Sequence, residues 1–369
     1  MNEVKHDIKA LSLEALMALI NSYGQPAFRA KQIFHWIYAH GVTDFAQMKN
    51  LSASFQTLLS QHFTVSSIQP HADTVSHEIT PEQTVKFLFR LSDEQSIESV
   101  FIPSDSTSRN TLCISSQVGC AFACKFCATG YMGFIRNLTI GEILDQVLWV
   151  NRWLGDQRGG KITNVVFMGM GEPLANFDNC LAAIRILTNP DYAFQISTRK
   201  ITVSTVGFIP GIQRLIDTGI NCKLAISLHS AHQAIREELI PIAKEYSLAT
   251  LKAILTRYNQ AYKQPITFEY SLIHKINDSE QDAILLSKFC KGINCKINLI
   301  DYNSVDNIDY LPSPEGHKQA FIRKCIEHGL TVTVRKSRGA DIQAACGQLA
   351  IQHVHGKKFS KIQTSRHST

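Results

Sequence analysis

Three cysteines stand within eight residues: Cys120, Cys124 and Cys127 in the run GCAFACKFCATG. Thiolates are the usual ligands of iron–sulfur clusters. A C-x3-C-x2-C spacing supplies three corners of one cubane. It therefore predicts a [4Fe-4S] cluster whose fourth iron has no protein ligand and stays open to a small molecule. The competing reading is zinc. A closed zinc site wants four ligands, commonly two C-x2-C pairs. No second pair is present, so a distant His or Cys would have to complete it.

The chain has ten cysteines in 369 residues. In a secreted protein they would suggest disulfides, but MNEVKHDIKALSLEALMALI carries acids and helical spacing rather than the plan of a signal peptide. No run of eighteen apolar residues suggests a membrane span. The expectation is a cytoplasmic, reducing setting, where clustered cysteines point to metal or catalysis. Hydrophobic residues make up 44% of the chain, enough for a sizeable core, and a charged fraction of 18% argues against disorder. The net charge of +6 suits a polyanionic partner such as RNA, though many proteins that bind no RNA share it.

The elements that must position the cysteines follow from periodicity. Residues 1–75 read as a helical accessory domain: LSLEALMALINSYG stops at Gly24, PAFRAKQIFHWIYAHG stops at Gly41, and DFAQMKNLSASFQTLLSQHF adds more helix. Arg29, Lys31, His35 and Trp36 could touch RNA there, or be core aromatics and a solvated charged face. Residues 76–110 read as a linker with a β-hairpin, TVKFLFRL and SIESVFIP around SDEQ. From 111 to 350 β-branched runs alternate with amphipathic segments: TLCISS, TNVVFMG, KITVST, KLAISLH, TFEYSLI, CKINLI and TVTVRK. That alternation predicts α/β architecture, a parallel sheet with right-handed crossovers, in a partial (βα)6-type barrel. Residues 351–369 are a polar, basic tail.

Barrel enzymes place chemistry at the C-terminal ends of their strands. Those ends carry Gly171 and Glu172 in MGEP, Ser204, the trio Ser227, Leu228 and His229, and Asn303. Each alone suits turn chemistry or packing. Their shared position makes them a candidate ligand-binding set. Two further cysteines stand apart from the others. Cys113 lies on the strand before the cluster loop, and Cys346 lies in the small-residue run AACG after Arg335, Lys336 and Arg338. Basic neighbours lower a thiol pKa, whereas most free cysteines are inert core residues. Both readings of Cys346 stand at this point.

GCAFACKFCATG resembles the signature of the radical S-adenosylmethionine superfamily. With FMGMGEP, ITVSTVG, ISLH, INLIDYN and RKSRGADIQAACGQL, the chain is similar over nearly its whole length to the RlmN family, methyltransferases of RNA adenosines. The resemblance implies a radical SAM barrel, a [4Fe-4S] cluster on Cys120, Cys124 and Cys127, and two S-adenosylmethionine molecules per turnover. One donates a methyl to Cys346. The other is cleaved at the cluster to a radical that activates that methyl for addition to adenine C2. Cys113 then resolves the protein–RNA adduct through a transient disulfide with Cys346, and Glu98 in SIESVFIP matches the family's proton acceptor. The implied partners are 23S rRNA, tRNA at the adenosine beside the anticodon, and an electron donor such as flavodoxin or ferredoxin. The enzyme is expected to be a monomer. The neighbouring Cfr family, which methylates C8 of the same rRNA adenosine, is the alternative; a radical activase would leave Cys113 and Cys346 without a role, and a non-catalytic iron–sulfur or zinc RNA-binding module would need a closed four-ligand site and leave GEP and the strand-end polar set without one.

Overall fold

A computed structural model describes residues 5–71, 83–104, 108–158, 160–305, 308–335, 342 and 344–349. The basic tail, Lys336 and Arg338 lie outside the described residues. The helical start of the chain forms as its caps require. The Ser12 hydroxyl accepts from the Ala15 amide to begin α1 (Leu13–Ser22), and left-handed Gly41 (φ +62°) ends α2 (Phe28–His40). Ser52 caps α3 (Ala53–His62). A short parallel pair, β1 (His6–Asp7) and β2 (Phe63–Thr64), closes this unit on itself. Trp36 packs partly buried against the core, with its indole donating to the Asn50 side chain at 2.5 Å; Lys31 and His35 are exposed.

Ten of the remaining strands build one sheet. In chain order they are β3 (Ile68–Pro70), β4 (Val85–Leu91), β5 (Ser96–Pro103), β6 (Asn110–Cys113), β9 (Asn164–Phe167), β10 (Ile201–Thr205), β11 (Lys223–Ser227), β12 (Ile266–Leu272), β13 (Cys295–Asp301) and β14 (Val332–Arg335). A separate ribbon, β7 (Gln117–Gly119) against β8 (Phe134–Asn137), brackets the cluster loop and the short α4 (Ala128–Tyr131). The other helices are α5 (Ile140–Arg158), α6 (Phe177–Thr188), α7 (Ile209–Asp217), α8 (Gln233–Leu239), α9 (Leu248–Ala261), α10 (Glu280–Cys290) and α11 (Glu315–Glu327).

The strands from β6 through β9 to β14 are parallel and follow each other in chain order, as right-handed crossovers demand. Such strands are covered on both faces, and all but one residue of β12 is buried. Among the described residues β14 pairs only with β13, so the barrel is partial, as predicted. The hairpin β4–β5 extends the same sheet: β5 pairs antiparallel with β6, placing Val100 opposite Cys113.

The helical unit is fastened to α5 through a fully buried lysine. Lys9 Nζ lies 2.9 Å from Asp7 and 3.3 Å from Asp145 on α5, and it also donates to the Val65 carbonyl. Burial pushes the Asp145 carboxyl up to about 6, against the pull of Lys9. Among the described residues no helix is long and apolar enough to cross a membrane.

Candidate active site

The strand ends enclose a cavity of about 140 Å³. Cys120, Cys124, Cys127, Gly171, Glu172, Ser204, Ser227, His229 and Cys346 all line it. Residues distant in sequence thus meet where a barrel puts its chemistry.

The loop bearing the three cluster cysteines is fixed by its backbone. Cys120 donates its amide to the Gly133 carbonyl at 2.9 Å, and Lys125 to that of Leu239 on α8 at 3.0 Å. Gly130 sits so close beneath that a Cβ there would meet the Cys124 carbonyl at 2.7 Å. Burial drives all three thiols upward, Cys120 to about 12. Buried thiols that cannot ionise alone are poor nucleophiles, but a bound iron cluster takes them as thiolates. Among the described residues, the trio of metal-ligating atoms gathered within 4.8 Å lies elsewhere, at His274, Asp278 and His317.

Gly171 adopts φ +94°, and a Cβ there would lie 2.4 Å from Gln117 Cβ. Only glycine permits this turn, which brings the next residue to the cavity wall. Glu172 accepts from the Leu174 amide at 3.1 Å and the Val206 amide at 3.0 Å. Burial outweighs these bonds and raises its pKa to about 7. Such a carboxyl is protonated or charged according to what lies beside it, and a ligand ammonium would make it charged. His229 is in the left-handed region (φ +54°), and its Nδ1 accepts the Ser271 amide at 3.0 Å. Its proton is thereby assigned to Nε2. Burial, then the nearby Arg236 cation, depresses its pKa to about 3, so the ring is neutral.

Two residues of the predicted set act differently from the rest. The Leu228 side chain is buried in the core and does not line the cavity; its amide binds the Glu269 carbonyl. The Asn303 amide donates to the Cys346 carbonyl at 3.2 Å, holding the Cys346 loop. The same loop is pinned again where the Ala128 amide reaches the Gly347 carbonyl at 2.8 Å and Thr129 the Leu349 carbonyl at 2.6 Å.

Cys346 also lines a second, narrower cavity, with Cys113, Ile102, Met168 and Arg335. The Arg335 guanidinium stands 3.8 Å from Cys346 Sγ, and the charge of a Cys346 thiolate would stabilise the cation in turn. Burial raises Cys113 to about 12, with Cys346 and Arg335 as its charged neighbours. All ten cysteines are free thiols here. Glu98 is buried on β5, 3.1 Å from Lys86, on the sheet face shared by Val100, Ile102 and Cys113. It does not line either cavity.

Sequence-family models match the chain twice: residues 6–65 to the ribosomal RNA large subunit methyltransferase N-terminal domain, and residues 114–286 to the radical SAM superfamily. A protein of Chlorobium phaeobacteroides (strain BS1), described as "Probable dual-specificity RNA methyltransferase RlmN", is 48% identical over 354 residues, covering 95% of this chain and 97% of the relative. The chain belongs to the RlmN family. Another relative so described, from Chlorobaculum tepidum, is 45% identical over 94% of both chains. The crystal structure of a radical SAM methyltransferase from Sphaerobacter thermophilus superposes with a TM-score of 0.87 at 37% identity, over 93% of this chain and 98% of that one. This RlmN-family chain is thus a radical SAM RNA methyltransferase, a class that implies a [4Fe-4S] cluster and S-adenosylmethionine.

Several RlmN-family cavity residues escaped the sequence reading. Glu269 and Ser271 on β12 line the main cavity, with Asn298 donating to the Glu269 carboxylate at 2.6 Å. An acid inside an otherwise apolar strand, TFEYSLI, was the available signal. Arg236 on α8 is fully buried and donates to the carbonyls of Val206, Ser227 and Leu228, tying together two strand ends. Nothing in its local sequence marks it out.

Proposed function

We propose that the enzyme methylates C2 of an adenosine in 23S rRNA and of the adenosine beside the anticodon in tRNAs, with Cys346 as methyl carrier and Cys113 as resolving thiol. The observation that carries this reading is that Cys346 forms a shared wall between the cavity of the cluster cysteines and the cavity of Cys113. Cys120, Cys124 and Cys127 would hold the [4Fe-4S] cluster, and Gly171, Glu172, Ser204, Ser227, Leu228, His229 and Asn303 would surround S-adenosylmethionine, two molecules being used per turnover. When bound, the pair supplies a carbon-centred radical.

The chain's own residues do the rest. Adenine C2 is electron-poor and offers no lone pair to an electrophilic methyl, so the carbon must arrive on a carrier. Arg335 stands 3.8 Å from the Cys346 sulfur that would accept the methyl. Once Cys346 is joined to the base through that carbon, Cys113 attacks its sulfur, forming the Cys113–Cys346 disulfide and releasing the methylated base. Glu98, on the face shared with Cys113, is the candidate proton acceptor at C2. C2 is hidden by stacking and pairing, so the target nucleotide must be splayed out before it reaches the cavity. The enzyme acts as a monomer in the cytoplasm, with flavodoxin or ferredoxin as electron source.

Mass spectrometry of nucleosides from 23S rRNA and tRNA, from cells with and without the gene, tests the reading. 2-Methyladenosine should vanish from both RNAs on deletion. Loss of 8-methyladenosine instead would move the enzyme to the Cfr reaction, and unchanged RNA would overturn the proposal.

A further inference from the structure

Away from the barrel mouth, the loop between β12 and α10 meets the start of α11. His274 comes from that loop and His317 from the first turn of α11, and the backbone joins the two segments where the His274 amide reaches the Leu311 carbonyl at 2.9 Å. Asp278, buried between them, has its Oδ2 3.2 Å from His274 Nδ1 and 3.3 Å from His317 Nδ1. These are long for charge-assisted hydrogen bonds, which run to about 2.7–2.9 Å. They match the edge of a tetrahedron around a metal ion: bonds of about 2.0–2.1 Å to nitrogen and oxygen put neighbouring ligand atoms about 3.3 Å apart. All three ligand atoms lie within 4.8 Å of one another.

The surroundings also suit a metal. Ser313 donates to Asp278 Oδ2 at 2.7 Å and the Lys275 amide to Oδ1 at 3.0 Å, an outer shell that orients the carboxylate. Asp278 and His317 border a surface cavity, which gives an ion a way in and leaves room for water as a further ligand.

We propose that His274, Asp278 and His317 form a binding site for one divalent ion of the zinc type. Two imidazoles with one carboxylate select such ions over magnesium and calcium, which prefer all-oxygen shells. Each imidazole would carry its hydrogen on Nε2 and offer the Nδ1 lone pair to the metal. The ion would brace the cavity from outside, because the neighbouring Asn277 holds the carbonyls of His229 at 2.6 Å and Ser271 at 2.8 Å.

The test uses holoenzyme with its cluster reconstituted, so that the cluster cysteines are occupied. Zn2+ is titrated in competition with a chromophoric chelator, against His317→Ala, His274→Ala and the double variant. His317 is half-exposed, so its removal leaves the fold intact, which circular dichroism checks. The expected result is one Zn2+ per chain, bound at least tenfold more weakly by either single variant, unaffected by excess Mg2+, and raising the melting temperature of the unaltered enzyme but not of the double variant. Co2+ in place of Zn2+ should give d–d bands without thiolate charge transfer. No uptake by the unaltered holoenzyme, or equal uptake by the double variant, would overturn the site.

Discussion

Replacing Gly171 by alanine isolates the local device that brings Glu172 to the cavity. At φ +94° an L-residue is strained, by about 1–2 kcal/mol. The added Cβ would also stand 2.4 Å from Gln117 Cβ, 2.7 Å from its Cγ and 2.8 Å from its amide nitrogen. Gln117 cannot swing clear, because its amide binds the Met170 carbonyl, its Oε1 accepts the Glu172 amide at 2.8 Å and its Nε2 donates to Asn137 at 2.8 Å. Overpacking of this kind costs about 1–3 kcal/mol more. Gly171→Ala should therefore destabilise the chain by roughly 2–5 kcal/mol. Gly24 provides the control: its φ is +70°, but a Cβ there meets nothing within 4 Å, so Gly24→Ala should lose only the conformational part. Urea unfolding of both variants followed by circular dichroism, with S-adenosylmethionine binding measured on the reconstituted enzymes, separates the two. Equal midpoints for Gly171→Ala and Gly24→Ala would refute the steric argument, and unchanged ligand binding in Gly171→Ala would refute its link to the site.

The carboxyl of Glu172 titrates near 7 in the fold against 4.5 unfolded, so the fold binds its proton more tightly. Its contribution is full below about pH 4.5 and is lost as pH rises through 7, on the order of 3 kcal/mol. Apoprotein melts from pH 5 to 8 should show that fall, and Glu172→Gln should flatten it; parallel curves would exclude the shift. Lys9→Met leaves the carboxylates of Asp7 and Asp145 facing each other without their buried cation, which should cost about 3–5 kcal/mol in urea unfolding. Adding Asp145→Asn should recover part of that loss, and a Lys9→Met variant as stable as the unaltered chain would remove the ion cluster as the fastening of the helical unit.

The residues that gather at one cavity were the most legible part of this sequence: Cys120, Cys124 and Cys127, and the strand-end set apart from Leu228 and Asn303, line it, because parallel strands point their C-terminal ends to the same side. All seven β-branched runs became strands, since burial on both faces leaves few polar interruptions. Pairings between distant segments were not legible. That β5 lies against β6, and so puts Glu98 on the Cys113 face, depends on which edge the hairpin joins, and local periodicity does not encode that. The meeting of Cys113 with Cys346 is likewise a product of the barrel's curvature. Glu269 was missed because one acid in a strand looks the same whether it lines a cavity or not, and Arg236 because, beside Gln233, Glu237 and Glu238, it looks like any charge on a solvated helix face.

The central claim is that Cys346 and Cys113 have unequal roles in one reaction, and the most direct measurement is a denaturing gel of each alanine variant purified from cells, run with and without ribonuclease. Cys113→Ala can still be methylated and can still join adenine, but it cannot break the link, so it should carry covalently trapped RNA through Cys346. Cys346→Ala has no carrier and should be inactive and free of RNA. Two merely structural cysteines would instead give two similar losses of stability. No trapped RNA on Cys113→Ala, or RNA trapped equally on both variants, would contradict the account.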